Sequence, residues 1–399
     1  MRIAYICADP GIPVFGQKGC SIHVQEVIRA LQRHGATVEL FTPRLGGLPA
    51  ADLRSVKVRR LPPIPKGDLR VREQTALATN PDLQRELELA GPFDLIYERY
   101  SLWSDGAMEF AQLTGTPALL EVNAPLIEEQ MRHRGLIHHA KAEAVARRAF
   151  QAATHLIAVS QPVKDYLTRW VTADRVTVIP NGVNHHRISP AVAPSQPSRE
   201  DTFVVGFVGS LKPWHGLEHL VNAFDRLFQR VPQARLMVVG DGPERRSLEM
   251  ALTQRGLQSV AHLTGAVAPE EIPGLLTSMD AAIAPYPASA AFYFSPLKVM
   301  EYLAAGLPVV VSDIGQLAEV ITPDVTGLLC PPGDADALAA ALERLWRSPH
   351  LRRSLGQAAR QHILTHHTWD GVAQQILTLA NLAPLPLTEA RSPMLHQFP

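Results

Sequence analysis

Short apolar runs alternate with longer amphipathic stretches through the first half of the chain. Residues 3–8 are a continuous apolar run, and the stretch 21–34 repeats Val24, Val27 and Leu31 at helical spacing. Further strands are predicted at 37–42, 93–97, 118–122 and 155–159. Strands that alternate with helices in this way predict a parallel sheet covered by helices on both faces.

The same alternation restarts after a proline-bearing segment. Residues 189–201 carry three prolines and almost no bulky apolar side chains, which is typical of a linker. Strands are then predicted at 203–208, 235–239, 261–263, 281–284, 308–312 and 327–330, and helices at 216–230 and 334–348. The predicted organisation is a domain of residues 1–188, the linker 189–201, a domain of 202–367, a helix over 368–383 and a tail over 384–399. Two doubly wound, Rossmann-like α/β domains would face a central cleft, and ligands bind where the strands of such sheets end.

Composition narrows the function classes. The chain has 399 residues, 46% of them hydrophobic and 19% charged, so it can bury sizeable cores. A formal net charge of zero argues against a protein that binds nucleic acid by bulk electrostatics. Residues 1–187 carry 23 Lys and Arg against 19 Asp and Glu. This mild excess would suit an anionic acceptor or a membrane surface, and chance scatter of solvated charges explains it equally well.

Cysteine usage and hydropathy point to a cytoplasmic protein. The three cysteines, Cys7, Cys20 and Cys330, are odd in number and lack metal-ligand spacing, so neither a disulfide framework nor a zinc site is expected. No apolar run approaches the roughly 20 residues that span a bilayer, and the apolar N-terminus is too short for a signal peptide. Peripheral membrane contact through the first domain stays open.

The sharpest chemical signal is a Ser-Pro turn that opens a short helix within residues 294–310. The first N–H groups of a helix and its dipole suit a phosphate, and Lys298 adds a full positive charge. Glu301 lies one turn further, where a carboxylate can accept paired hydroxyl hydrogen bonds such as those of a ribose. From this pattern alone, an ordinary capped helix with a solvated glutamate is the alternative.

A second signal is the small-residue loop after the strand at 203–208. Gly209 allows a ligand to approach the backbone, and Lys212 and His215 place polar groups at the mouth of the loop. The loop lacks the Walker pattern, so a tight strand-to-helix turn is an equal alternative. In the first domain, Glu121 lies among apolar residues and must be paired or near a ligand, with structural pairing the favoured interpretation. Asn123 follows at the end of the same strand.

Together these motifs resemble family 4 of the retaining glycosyltransferases, which have the two-domain GT-B fold. The resemblance covers essentially the whole chain, and its most specific stretch is residues 301–310, Glu-Tyr-Leu-Ala-Ala-Gly-Leu-Pro-Val-Val. The other matching segments are the N-terminal glycine-bearing loop and residues 159–160, 179–184, 208–212, 239–243, 263–267, 326–329 and 332–334.

The resemblance implies roles for individual residues. The second domain would hold a UDP- or GDP-linked sugar, and the helix 368–383 would cross back to the first domain, which would hold the acceptor. Glu301 would bind the ribose, and the loop around Gly16 and Gly19 would close over the donor. No metal or other cofactor is expected. The implied catalytic residues are Asn123, Lys212 and Lys298, and the implied donor-binding residues are Gly16, Gly19, Gly209, Ser210, His215, Tyr293, Phe294, Ser295, Pro296, Leu297 and Glu301.

Three places depart from the common family pattern. Tyr293 stands where a glutamate often contacts the transferred sugar, eight residues before Glu301. Ser210 and His215 match positions that are often Arg and Lys, and Asn123 ends the strand that often ends in a catalytic-site His. Loss of all three could indicate a pseudoenzyme. A subfamily with altered donor contacts is favoured because the phosphate and ribose elements persist.

The implied reaction transfers a sugar, with retention of anomeric configuration, to a hydroxyl of a glycan, a lipid-linked molecule or a small molecule. No side chain presents itself as a covalent nucleophile, so the resemblance favours a front-face mechanism. A catalytically silent nucleotide-sugar-binding module is one alternative, and a nucleotide-sugar 2-epimerase or a phosphorylase of the same shape is another. A nicotinamide dehydrogenase is disfavoured because no compact G-x-G-x-x-G follows the first strand.

Overall fold

The computed structural model describes residues 1–197, 201–288, 292–293 and 295–383. The first domain contains a seven-stranded sheet whose strands pair in the order β3-β2-β1-β4-β5-β6-β7, and every pairing is parallel. Its strands are β1 (Arg2–Ile6), β2 (Thr37–Thr42), β3 (Lys57–Arg60), β4 (Leu95–Arg99), β5 (Ala118–Val122), β6 (His155–Ala158) and β7 (Val176–Val178). The order reverses between β1 and β4, which makes the ends of these central strands a crevice for ligands.

Helices cover both faces of this sheet. Successive residues of β4 show why: Leu95 belongs to one hydrophobic core and Ile96 to another, because side chains alternate across a strand. The helices are α1 (Gly19–Arg33), α2 (Leu69–Ala78), α3 (Asn80–Ala90), α4 (Gly106–Thr114), α5 (Leu126–His133), α6 (His139–Ala152) and α7 (Gln161–Leu167).

The second domain repeats the design with a six-stranded parallel sheet in the order β10-β9-β8-β11-β12-β13. Its strands are β8 (Phe203–Val208), β9 (Ala234–Val239), β10 (Ala261–Gly265), β11 (Ala281–Ala284), β12 (Val309–Ser312) and β13 (Leu328–Cys330). Its helices are α8 (Leu217–Arg230), α9 (Arg245–Gln254), α10 (Ile272–Leu276), α11 (Leu297–Ala304), α12 (Gln316–Val320), α13 (Ala335–Arg347) and α14 (Pro349–His366). The predicted pair of doubly wound α/β domains is confirmed.

The strands that the sequence pattern missed or displaced are short or charged. Strand β3 reads Lys-Val-Arg-Arg and lies at the sheet edge, and β7 has only three residues. Strand β4 runs to Arg99, beyond the predicted end at residue 97, because the charged Glu98 is buried within the strand. The 18-residue helix α14 was not predicted from the pattern at all.

The chain crosses between the domains twice at one place. Val183 already packs in a core of the second domain, and its N–H donates to the carbonyl of His367 at 2.9 Å. After His367 the chain returns as α15 (Trp369–Leu379), which packs on α1 and places Trp369 in a core of the first domain. The two crossings are therefore joined by backbone hydrogen bonds.

The proline-bearing segment after residue 188 packs on the second domain. Ile188 is buried in its core, and the Ser195 N–H donates to the carbonyl of Gly274 at 2.9 Å. Residues 198–200 of the predicted linker and the predicted tail 384–399 lie outside the described residues. No helix among the described residues is long and apolar enough to cross a membrane.

Candidate active site

The Ser-Pro turn and the start of α11 lie at the cleft, next to the loop that follows β8. The Leu297 N–H donates to the carbonyl of Ser295, and the Val299 N–H to that of Pro296, each at 3.0 Å. These bonds close the turn and begin the eight-residue helix α11. The predicted site residues Ser295, Pro296, Leu297 and Lys298 thus occupy one helix start, where a positive dipole end favours an anion.

Lys298 presents a buried ammonium group. Its Nζ lies 4.4 Å from the ring centroid of Phe207 and 5.2 Å from that of Tyr286, and it has no hydrogen-bond partner among the described residues. Burial lowers the pKa of Lys298 to about 7. An unpaired buried cation is unfavourable, so an anion placed beside it would both bind and keep the lysine charged.

Gly209 brings backbone against this ammonium group, and Gly240 packs against Gly209. A Cβ on Gly209 would lie 3.2 Å from the Lys298 Nζ, and the φ of Gly209 is +147°. A Cβ on Gly240, whose φ is +131°, would lie 2.1 Å from the carbonyl oxygen of Gly209. Only glycine fits both positions without strain, which explains the small-residue loop that the sequence shows.

His215 supports this loop as a neutral side chain. Its Nδ1–H donates to the carbonyl of Ser210. Burial, with the nearby Lys298 and Lys212, lowers the pKa of His215 to about 3, and the hydrogen bond to Ser210 opposes the fall. The loop therefore takes its positive charge from the lysines. Lys212 lies at the outer side, with its Nζ 5.8 Å from the ring centroid of the exposed Trp214.

Glu301 lies one turn into α11 and faces Arg187, a residue that the sequence reasoning missed. Arg187 Nη2 is 3.6 Å from the Glu301 Oε1, and Arg187 Nη1 donates to the carbonyl of Pro269 at 2.8 Å. Burial raises the pKa of Glu301 to about 7, with Arg187 opposing and Glu26 reinforcing the rise. The only sequence signal for Arg187 was its place just after the motif at 179–184.

The glycine-bearing loop of the first domain reaches the start of α11. A Cβ on Gly19 would lie 3.8 Å from Cδ1 of Leu297. Gln25 fixes the loop because its side-chain amide donates to the carbonyls of Val14 at 2.8 Å and Gly16 at 3.0 Å. The structure therefore brings the predicted first-domain loop to the predicted donor helix.

The segment before α11 is bound to the first domain. The Tyr293 hydroxyl donates to Glu129 at 3.1 Å, and the Ser160 hydroxyl donates to the Tyr293 carbonyl at 2.8 Å. Asn181 donates its N–H to the Ser295 hydroxyl at 3.1 Å and its side-chain amide to the Ser295 carbonyl at 3.2 Å. Tyr293 thus contacts a carboxylate across the cleft. Phe294, also predicted in the donor site, lies outside the described residues.

Asn123 donates its side-chain amide to Glu121, which is buried at the end of β5. Glu121 also accepts from the Tyr97 hydroxyl, lies 3.1 Å from His23 Nε2 and lies 3.2 Å from Arg99 Nη1. Burial alone would raise the pKa of Glu121, but the neighbouring His23 and Arg99, with the hydrogen bonds donated by Tyr97 and Asn123, together hold the pKa below its ordinary value. The expected pairing of Glu121 is present, with partners that the sequence did not indicate.

A cavity of about 250 Å³ lies in the first domain. It is bounded by the loops that follow β1 to β4 and by α5, and its wall is mixed in character, with apolar groups such as Leu61 and Trp103. Its charged residues are Asp9, Arg72, Glu129 and Arg134. Since Glu129 also binds Tyr293, the cavity adjoins the segment that precedes α11.

Among the described residues, one group has the ligand atoms of a possible metal site. His185, His186 and Asp370 bring one such atom each within 4.8 Å of one another. Asp370 already accepts from Arg33 at 2.6 Å, and His186 Nε2 is 3.6 Å from its other oxygen. The group lies at the domain crossings, and the absence of a metal requirement stays a prediction.

Comparisons with known proteins agree with this geometry. The family model "Glycosyl transferases group 1" matches residues 190–362, and "Glycosyltransferase Family 4" matches residues 18–187. The chain is 25% identical over 426 residues to the MMP alpha-(1->4)-mannosyltransferase of Mycolicibacterium hassiacum, covering 95% of this chain and 97% of that one.

Solved structures show the same fold. The sucrose-phosphate synthase of Thermosynechococcus elongatus superposes with a TM-score of 0.71 at 23% identity, over 96% of this chain and 98% of that one. HepE of Anabaena, in complex with UDP, superposes with a TM-score of 0.71 at 20% identity, over 96% of this chain and 100% of that one. With both domains matched in sequence and in fold, this chain belongs to the GT-B glycosyltransferases of group 1 and family 4, enzymes that transfer sugars.

Proposed function

We propose that the protein transfers a sugar from a nucleoside diphosphate sugar to an acceptor hydroxyl, with retention of configuration and without a metal ion. The observation that carries the proposal is the Lys298 ammonium, buried without a hydrogen-bond partner beside Gly209. A diphosphate at this position would meet a cation and the positive end of α11 together.

The rest of the donor would extend along α11. Glu301 would accept hydrogen bonds from the ribose hydroxyls, as an ionised carboxylate is suited to paired donors. Lys212 would approach the phosphates from the outer side of the loop after β8. A UDP- or GDP-linked sugar is the proposed donor, and the complex of the structurally similar HepE with UDP supports a uridine nucleotide.

Transfer requires that charge growing on the diphosphate be stabilised while the glycosidic bond breaks. Preorganised N–H dipoles and lysine cations meet this requirement in a site that excludes water. We place the acceptor hydroxyl on the same face of the sugar as the leaving phosphate, so that the phosphate oxygen accepts its proton. This front-face route gives retention without a covalent enzyme intermediate.

The acceptor would enter from the first domain. The cavity of about 250 Å³ adjoins Glu129 and the segment before α11, and its mixed walls suit a molecule with both hydroxyl and apolar surface. A glycan, a lipid-linked molecule and a small molecule all present such a hydroxyl. The similarity to a mannosyltransferase and to a sucrose-phosphate synthase supports a carbohydrate acceptor.

The proposal is tested by incubating the protein with UDP-, GDP- and ADP-linked sugars and measuring released nucleoside diphosphate. We expect one nucleotide to support release, with mass spectrometry of the product reporting the sugar transferred. Lys298→Ala should lose most of this activity, whereas Lys141→Ala, at an exposed lysine of α6, should keep it. No release with any donor, or equal activity in both variants, would contradict the proposal.

A further inference from the structure

A polar network is buried beneath Asn123, at the cleft end of the first sheet. Glu121, at the end of β5, and His23, on α1, are each about 3% exposed at the side chain. His23 Nε2 and Arg99 Nη1 lie 3.1 Å and 3.2 Å from the same Glu121 oxygen, which also accepts from Asn123. The second oxygen accepts from Tyr97. Each of these four partners can donate to the carboxylate.

The protonation of the network follows from its contacts. Burial lowers the pKa of His23 to about 4, with Glu121 opposing and Arg99 reinforcing the fall. His23 is therefore neutral near pH 7, with Nε2–H directed to Glu121, while Nδ1 lies 3.5 Å from Arg99 Nη1. Glu121 carries the negative charge that compensates the Arg99 guanidinium, whose side chain is only 12% exposed.

These contacts decide which end of the Asn123 amide meets the cleft. An amide oxygen against a carboxylate would be repelled, so the nitrogen must face Glu121. The Asn123 carbonyl oxygen is then the group left on the side away from the buried carboxylate. This oxygen is not one of the fully buried polar atoms that lack a hydrogen-bond partner. Asn123 itself is partly exposed. The oxygen is therefore at least partly accessible to solvent.

We propose that Glu121 is a positioning residue that fixes the Asn123 carbonyl oxygen toward the cleft, where it accepts a hydrogen bond from a reacting hydroxyl or a sugar hydroxyl. The assignment rests on the proposed transfer function. It makes Asn123 a hydrogen-bond acceptor for the substrate and gives His23 and Arg99 the task of holding Glu121 in place.

The first test replaces the amide by an imidazole. In Asn123→His, one ring N–H can donate to Glu121 and the other nitrogen can accept from the substrate, but only while the ring is neutral. We expect the variant to keep about a tenth or more of the wild-type kcat at pH 8. The ratio of variant to wild-type kcat should fall about tenfold per pH unit below the imidazole pKa. Taking the ratio cancels titrations that both proteins share.

The second test removes the charge of Glu121. In Glu121→Gln the side-chain NH₂ can donate to the Tyr97 hydroxyl, but the single neutral oxygen that remains holds the Asn123 amide more weakly than the carboxylate does. We expect kcat to fall about tenfold or more while the donor KM changes by less than about threefold, since the donor is held by the second domain. Glu143→Gln, at a half-exposed glutamate of α6, is the matched control and should equal wild type.

Melting temperature and the fraction of folded protein are measured on the same samples. A Glu121→Gln protein with a lowered melting temperature but unchanged kcat per folded molecule would overturn the assignment. So would an Asn123→His protein whose kcat ratio does not change with pH. A wild-type protein that releases no diphosphate from any donor would instead overturn the proposed function, and the positioning role with it.

Discussion

Donor binding should depend on pH because Lys298 must be protonated and Glu301 must be ionised to bind the donor. Burial lowers the pKa of Lys298 to about 7 and raises the pKa of Glu301 to about 7. The diphosphate needs the lysine protonated, whereas the ribose needs the glutamate ionised. Affinity for the donor should therefore be highest near pH 7 and fall on both sides.

The magnitude of the alkaline limb follows from the fraction of charged lysine. With a pKa of about 7, about half of the Lys298 groups are charged at pH 7 and about a tenth at pH 8. The charged fraction of Lys298 thus falls about fivefold between these values while the ionised fraction of Glu301 rises about twofold, so affinity should fall about threefold. Affinity should then fall about tenfold per further pH unit, until the pH reaches the pKa of Lys298 in the bound state. At pH 8 Lys298 should take up about 0.9 proton on binding, because the diphosphate raises the lysine pKa, and Glu301 should release about 0.1, a net uptake of about 0.8 proton per site.

Isothermal titration calorimetry in buffers of different ionisation enthalpy measures both quantities. The intact nucleotide sugar is the ligand, since its diphosphate is a diester and does not titrate in this range. In Lys298→Met the alkaline limb and the proton uptake should vanish while the acid limb remains, and Lys141→Met serves as the control. Affinity that is unchanged from pH 7 to 9, without proton uptake, would refute the reasoning.

Four further outcomes are expected. Glu301→Gln should weaken donor binding about tenfold or more, since each hydrogen bond to a charged acceptor contributes roughly 1.5–3 kcal/mol. Glu249→Gln, at a half-exposed glutamate of α9, is the calorimetric control. Lys212→Ala should slow transfer without changing the melting temperature, and a wild-type rate would place the phosphates elsewhere. Asn123→Ala should lower turnover by roughly 10²–10³ with a smaller change in donor affinity, and a melting shift alone would indicate only a structural role. EDTA treatment should leave the transfer rate unchanged, and restoration of a lost rate by Mg²⁺ or Mn²⁺ would contradict metal independence.

Elements with a nearly continuous apolar run or a clear apolar period could be predicted from the sequence. Strands β5 and β12 are buried along their whole length, so their apolar runs were visible without any knowledge of the fold. The start of α11 was visible for a similar reason, because a Ser-Pro turn, a lysine and a glutamate one turn apart need only local helical geometry. These features determined the fold class and most of the candidate donor site.

Contacts between distant segments were decided only by the tertiary structure. Arg187 and Glu301 face each other although they are more than a hundred positions apart in the sequence. His23 and Glu121 are nearly a hundred positions apart. Whether Lys298 is solvated or buried depends on Phe207 in β8 and on Gly209 in the loop that follows. No helical periodicity in the sequence connects that loop to α11. The short-range sequence pattern indicates the helix or strand propensity of a segment and which of its faces is apolar. The pKa values and the orientation of the Asn123 amide arise from burial and charge partners that only the packed domains supply.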